Sequence, residues 1–357
     1  MFILLWLLLL CSPRILAHQE SLEQLDRLLL SKSVPNADKE KYVKAILPLV
    51  RNIEYKDIID VNFTLPLLRE GPSVPYRPFN PSILKTEEGY DVICRLSNYS
   101  IPSYKTIIPD GPYLNKNIFL KYDKNFNLLF EQEMLFPSHL EHKVNKNWQV
   151  EDVRICRWNN DWWLISTAVP PQYYWYVPKV AICKIDYPGQ DVPIIQSLTL
   201  FNGPEAKRAE KNWLHIFEGD KLRLIYSYDP FILMEPNIET GTCKTVLHYS
   251  PKLDFSRFRG SAAPINFEDG YLLMVHERLQ HFNYTHRFLY LDKQFNITKI
   301  SQPFTLANEG IDYCTSMTID HSGKNLILPI GVYDREAKIL VVDLEYVKGL
   351  LYDIVVR

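Results

Sequence analysis

The chain lacks a surplus of charge of either sign. Lys and Arg total 40 against 42 Asp and Glu, a formal net charge of −2 over 357 residues. A nucleic-acid partner wants a basic face, so this balance argues against one while leaving room for a local basic pocket. Metal-ligand spacing is missing too: no Cys-x-x-Cys and no His-x3-His occurs, which removes the usual zinc frameworks. Long apolar runs are absent but for one. Phe2 to Leu10 is uninterrupted, yet too short to span a bilayer comfortably. With small Ala17 behind it, the run reads as a secretory signal peptide over residues 1–17, cut near Ala17, and so predicts a secreted or extracytoplasmic protein. No positive charge follows Met1, and Arg14 sits near the cut, so a short membrane anchor is the second reading.

Cysteine is scarce. Once Cys11 goes with the leader, Cys94, Cys156, Cys183, Cys243 and Cys314 remain. An odd number leaves at least one free thiol, and four of the five lie in strand-like apolar runs, where a buried, inert thiol is usual. The Asn-x-Ser/Thr acceptors at Asn62, Asn98, Asn283 and Asn296 matter only in a host that glycosylates secreted chains.

What is present is a globular composition, 46% hydrophobic and 23% charged. Aromatics at 13%, with 22 Tyr and 7 Trp, suit a β-sheet core first and sugar-stacking surfaces second. Residues 19–31 and 38–52 carry helical spacing, with Leu22, Leu25, Leu28 and Leu29 on one stripe and Tyr42, Ala45, Ile46 and Val50 on another. Residues 18–75 are therefore a short helical arm and an irregular, proline-rich linker. From residue 76 to 357 the pattern is all-β.

Five tight-turn signals recur there: Glu88-Gly89, Asn160-Asp161, Gly219-Asp220, Asp269-Gly270 and Gly323-Lys324. They stand about 50 to 70 residues apart, and each precedes an apolar run followed by a further amphipathic strand. Such a repeat predicts a five-bladed β-propeller, with a β-sandwich as the alternative.

The innermost strand of a propeller blade lines the axis, so the residues at its mouth share a cavity. Those mouths hold Asn80-Pro81-Ser82, Glu151-Asp152 with Arg154, Glu210-Lys211-Asn212-Trp213, Arg259-Gly260-Ser261, and Glu309-Gly310 with Asp312-Tyr313. The far ends of the second strands add Arg95 with Asn98-Tyr99, Thr167, Tyr226 with Tyr228-Asp229, His276-Glu277, and Asp334-Arg335-Glu336. Any one mouth reads as an ordinary polar loop or ion pair. Five at equivalent positions read as a polar funnel. A carboxylic acid among hydroxyl-binding groups is what protonation of a glycosidic oxygen needs. Arg95, Lys211 and His276 together suit an anion such as phosphate. Trp148 and the Tyr173–Tyr176 run read as a loop packed on the propeller face, or as a stacking platform at its rim.

The segments Asn80–Ile83, Glu151-Asp152-x-Arg154, Lys211-Asn212, Gly270–His276 and Asp334-Arg335-Glu336 resemble, in order and spacing over residues 79–345, the inverting β-mannoside phosphorylases. Three segments, 210–213, 226–230 and 334–337, also resemble an uncharacterised bacterial branch of that superfamily. The resemblance implies a five-bladed propeller that cleaves or forms β-mannosidic bonds, with related hydrolases and mannosyltransferases. It implies Asp152 as the general acid, acting through a sugar hydroxyl, and Arg95, Lys211 and His276 as phosphate ligands. A further phosphate-binding arginine of the family falls near Lys179, which keeps the charge but loses the bidentate fork. No cofactor is implied beyond inorganic phosphate as co-substrate, and the partner is an oligosaccharide or glycan. Candidate sugar ligands are Asn80, Asn98, Tyr99, Glu151, Arg154, Asn212, Tyr228, Asp229, Glu277, His286, Arg287, Glu309, Asp312, Asp334 and Arg335. A hydrolase needs a second carboxylate roughly 6.5–9.5 Å from the acid, and Glu277, Glu309 and Asp312 are its candidates. The reading of a different class is a glycan-binding or interaction propeller, such as a secreted effector, that catalyses nothing.

Overall fold

Apolar runs separated by short polar turns make most of the chain antiparallel hairpins, and the middle strands are buried on both faces. The computed structural model describes residues 13–64, 76–98, 114–134, 149–169, 178–187, 194–205, 209–280, 283–307 and 310–354, with side chains from residue 20 onward save that of Gln280. Helices α1 (Pro13–Leu30) and α2 (Asn36–Ile46) form the arm. Their stripes, including Leu22, Leu29, Val43 and Ile46, meet in one buried cluster with Leu279 of the body. Helix α1 starts earlier than the spacing predicts and runs unbroken across Ala17. Helix α2 ends short of residue 52, because Pro48 withdraws a backbone donor and one 3-10 turn follows, Leu47–Leu49. Arg51–Asn52 is instead strand β1, paired in parallel with Phe304–Thr305. The segment expected to be irregular contains strand β2 (Asp57–Asp60).

Five sheets follow in chain order. The first is β3 (Arg77–Lys85), β4 (Gly89–Ser97), β5 (Asn115–Asp123) and β6 (Leu128–Met134). The second is β7 (Gln149–Trp158), β8 (Asp161–Val169), β9 (Lys179–Asp186) and β10 (Ile194–Leu200). The third is β11 (Leu214–Glu218), β12 (Lys221–Tyr228), β13 (Phe231–Pro236) and β14 (Cys243–Tyr249). In the fourth, β15 (Arg259–Gly260) and β16 (Ile265–Phe267) pair with β17 (Gly270–Gln280), which pairs with β18 (Asn283–Leu291); β19 (Ile297–Ser301) and β20 (Phe304–Thr305) lie outside it. In the fifth, β21 (Asp312–Cys314) and β22 (Thr318–Ile319) pair with β23 (Asn325–Val332), then β24 (Glu336–Asp343), with β2 outermost. Helix α3 (Leu344–Leu350) is capped by Asp343, whose carboxylate accepts from the Tyr346 amide at 3.0 Å. Strand β25 (Leu351–Asp353) returns the chain to β19.

Buried clusters join the first sheet to the second, second to third, third to fourth, fourth to fifth, and fifth back to the first. This is a β-propeller arrangement, and its apolar faces are removed from water between neighbouring sheets. Two turns lie one residue earlier than expected. Asn159 and Asn160 carry the positive φ of 51° and 62° that a tight hairpin needs, and Glu268 carries 51°. The cysteines are all free thiols among the described residues; Cys243 is half-buried and the other four are buried. Burial pushes Cys183 up to about 12 and Cys243 up to about 11. The acceptor Asn98 is itself fully buried, its Oδ1 accepting from the Leu114 amide at 2.8 Å.

Candidate active site

Three residues in or just before the first strand of their sheets adopt the left-handed conformation: Asn80 (φ 48°) in β3, Asp152 (φ 49°) in β7 and Asn212 (φ 63°) two residues before β11. That backbone is costly for any residue with a Cβ and least so for Asn and Asp, whose short polar side chains bond locally. At the first two the pairing register slips, between Phe79 and Ser82 and between Glu151 and Arg154. Such a bulge re-aims the side chain it carries. The neighbouring backbone must come close to allow it. A Cβ on Gly331 would stand 2.1 Å from Asn80 Oδ1, and one on Gly260 would stand 2.2 Å from the Asn212 carbonyl oxygen.

The re-aimed carboxylate of Asp152 accepts from Asn80 Nδ2 at 2.8 Å and from Arg95 Nη1 at 2.9 Å. Arg95 Nη2 pairs with Glu151 Oε1 at 2.9 Å, and its Nε donates to Asn115 Oδ1 at 2.9 Å. Asn115 Nδ2 in turn donates to Glu151 Oε1 at 2.8 Å. On the other side, Arg154 Nη2 donates to the Tyr313 hydroxyl at 2.8 Å and to the Ser261 carbonyl at 3.0 Å. Its Nη1 reaches the Asp152 carbonyl at 3.2 Å. The Tyr313 hydroxyl donates to Asn212 Oδ1 at 3.0 Å. One hydrogen-bonded chain therefore links the second, fifth and third sheets.

A cavity of about 650 Å³ adjoins this chain, and Lys211, Asn212, Tyr228, Arg259, His276 and Tyr284 line it, among others. The His276 ring stacks on Tyr284 at 5.1 Å and stands edge-on to Tyr313 at 5.2 Å. Burial pushes the Asp152 carboxyl up. Arg95, the Asn80 hydrogen bond, Arg154 and Lys211 more than reverse this, so it lies below the usual carboxylate range and is ionised at neutral pH. His276 is pushed well below the ordinary imidazole value by burial, then by His286, Arg259, Lys211 and Arg154. It is therefore a neutral hydrogen-bonding group, and the positive charge expected of it comes from Lys211, Arg154 and Arg259 instead.

Other sequence-predicted residues lie elsewhere. Arg287 pairs with Asp26 of α1, its Nη1 donating to Oδ2 at 2.8 Å, and its Nε donates to Glu277 Oε1 at 3.0 Å. Both Arg287 and Glu277 thus hold the arm, with Arg257 4.0 Å from the second Glu277 oxygen. Asp229 pairs with Lys32 of the arm at 2.9 Å. Asp312 is buried and accepts from the Ala307 amide at 3.0 Å. His286 lies behind His276, ring centroids 6.4 Å apart, and burial holds it at about 3. Lys179 opens β9 opposite Ala168 and does not line the cavity. Asp334, at φ 51° in the β23–β24 turn, is near enough for its charge to act on Tyr284; Arg335 shares that turn. Tyr99, Glu309, Trp148 and Tyr173–Tyr176 lie outside the described residues. Asn115, Arg278 and Tyr284 belong to the site's surroundings and carried no sequence signal beyond their strands.

No protein-family model matches the chain, and no curated protein matches it. Solved structures do. A β-1,2-mannobiose phosphorylase from Listeria innocua superposes with a TM-score of 0.57 at 13% identity, over 82% of this chain and 96% of that one. A mannose phosphorylase from Leishmania mexicana, solved with a phosphate ion, superposes with a TM-score of 0.54 at 12% identity, over 88% and 96%. A hypothetical protein from Leishmania major gives 0.52 at 13%, over 88% and 98%. At these identities the likeness is one of fold.

Proposed function

We propose that the five sheets are the blades of a five-bladed propeller, and that its axial cavity makes or breaks β-mannosidic or similar glycosidic bonds with inversion. One observation carries the reading: Asp152 stands on strained, bulged backbone beside Asn80, between Arg95, Arg154 and Lys211. Ionised in the free protein, this carboxylate is poised to accept the proton of an attacking sugar hydroxyl, with a sugar 1-phosphate as donor. In the cleaving direction it must be protonated. A phosphate held by Arg95, Lys211 and Arg259 offsets their pull on Asp152 and raises its pKa, turning it into an acid. Neutral His276 supplies a hydrogen bond to the same anion. Asn80, Glu151 and Arg154 position Asp152, while Asn212, Tyr228 and Tyr284 meet sugar hydroxyls and rings.

Phosphate is favoured over water as the attacking group because Glu277 and Asp312, two candidates for a water-activating base, are engaged in other contacts. An export leader ending near Ala17 is retained as part of the proposal. A second reading, a glycan-binding propeller without turnover, is favoured by the tight hold of Arg95 and Asn80 on Asp152.

The test is product release from a panel of β-manno-oligosaccharides, with and without inorganic phosphate, beside Asp152→Asn. Phosphate-dependent sugar 1-phosphate, reduced about 10²- to 10⁴-fold in the variant, is expected. Free mannose regardless of phosphate would instead indicate hydrolysis. Intact sugar binding without turnover in either protein would favour the binding module.

A further inference from the structure

A second cavity, of about 620 Å³, opens where the arm meets the fourth sheet. Leu47, Pro48 and Val50 of the arm give it an apolar wall, and Asn283 and Thr285 of β18 give it a polar one. Lys44 stands exposed at its edge. Tyr284 lines both this cavity and the axial one, so the two adjoin. The Thr285 side chain is fully buried, and its hydroxyl has no hydrogen-bond partner among the described residues. Asn283 Oδ1 is likewise buried and unpartnered among them. Folded chains rarely leave two such neighbours unsatisfied, and an unmade bond to a ligand is one of the few explanations. Among the described residues the lining contains no carboxylate and a single lysine, so a strongly charged ligand has little to hold it there. Neutral hydrogen-bonding groups facing an apolar wall suit a pyranose ring, which has hydroxyls at its edge and C–H groups on its faces.

Resting on the carbohydrate reading above, we propose that this cavity is a distal sugar subsite. It takes a further unit of a chain whose reacting units occupy the axial cavity. The ring face lies against Leu47, Pro48 and Val50, and the hydroxyls bond to Asn283 and Thr285. The arm is then part of the binding surface and sets the preferred chain length.

The experiment is calorimetric titration of unglycosylated protein with β-linked manno-oligosaccharides of two, four and six units. Wild type is compared with Thr285→Val, which removes the hydroxyl, and Leu47→Trp, which fills the cavity. Wild-type affinity is expected to rise about tenfold from two units to four, as two new neutral hydrogen bonds allow. Both variants should erase that rise and leave disaccharide affinity in place. Thr285→Val should keep or raise the melting temperature, since its hydroxyl has no partner to lose. Equal affinity for two and four units, or a rise that survives Leu47→Trp, would overturn the distal subsite alone. Binding of no chain length would overturn the carbohydrate reading and the subsite with it.

Discussion

Two arginine clusters in this molecule share one chemistry and differ in use. Arg95 holds Glu151 and Asp152 at the propeller axis, and Arg287 holds Glu277 and Asp26 where the arm meets the fourth sheet. Each is a guanidinium fork between two carboxylates. At the seam the side chains are 1 to 5% exposed, whereas Glu151 and Asp152 are 11% and 15% exposed and Asp152 sits on left-handed backbone. A sealed cluster on relaxed strands serves as a staple. A cluster that solvent reaches, on strained backbone beside a cavity, is available to a ligand. The difference lies in access and backbone, not in residue type.

Removing the guanidinium tests that division most strongly. Arg287→Met leaves two buried carboxylates without their partner and should lower unfolding stability by about 3–5 kcal/mol, read by urea denaturation. Arg95→Met should cost less stability and abolish turnover. Equal stability losses in the two variants would erase the distinction between staple and site.

Acid separates the regions next. His215, His276 and His286 crowd the axial side, all buried and all held below the unfolded value of about 6.5, His215 and His286 to about 3. Burial is the main cause in each. Their folded pKa values are depressed, so below pH 6.5 the unfolded chain takes protons that the folded one refuses. Stability should therefore be flat from about pH 6.5 to about pH 8 and fall below that window, by about 1.4 kcal/mol per pH unit for each histidine. Asp152, also depressed, loses its contribution at still lower pH. Hydrogen exchange should show the axial strands loosening before the arm; the reverse order would contradict the assignment.

Backbone strain gives the smallest and sharpest contrast. Glu268 holds φ 51° in an exposed hairpin turn, and Glu268→Gly should raise stability by about 1 kcal/mol or less with activity intact. Asp152→Gly relieves the same kind of strain and should abolish activity. A loss of activity in Glu268→Gly would show that positive φ alone does not mark the site.

The sheets were legible because apolar runs and turn residues are local signals. Asn80, Asp152 and Asn212 were legible because each precedes an apolar run at the same point of the repeat. Strand β2 was not: Ile58 and Ile59 between aspartates say little until β24, far down the chain, offers its edge. Nor did sequence separate Arg287 from Arg95. Both lie inside apolar strands, and what distinguishes Arg287 is Asp26, 261 residues earlier. The neutrality of His276 was equally hidden, since it arises from burial first and then from His286, Arg259, Lys211 and Arg154, which only the fold brings around it.

The most direct test of the central claim is calorimetric titration of inorganic phosphate into wild type, Arg95→Gln and Lys211→Ala. Saturable phosphate binding that both substitutions abolish is the predicted result. No binding to wild type, or binding indifferent to Arg95 and Lys211, would contradict an anion site at the propeller axis.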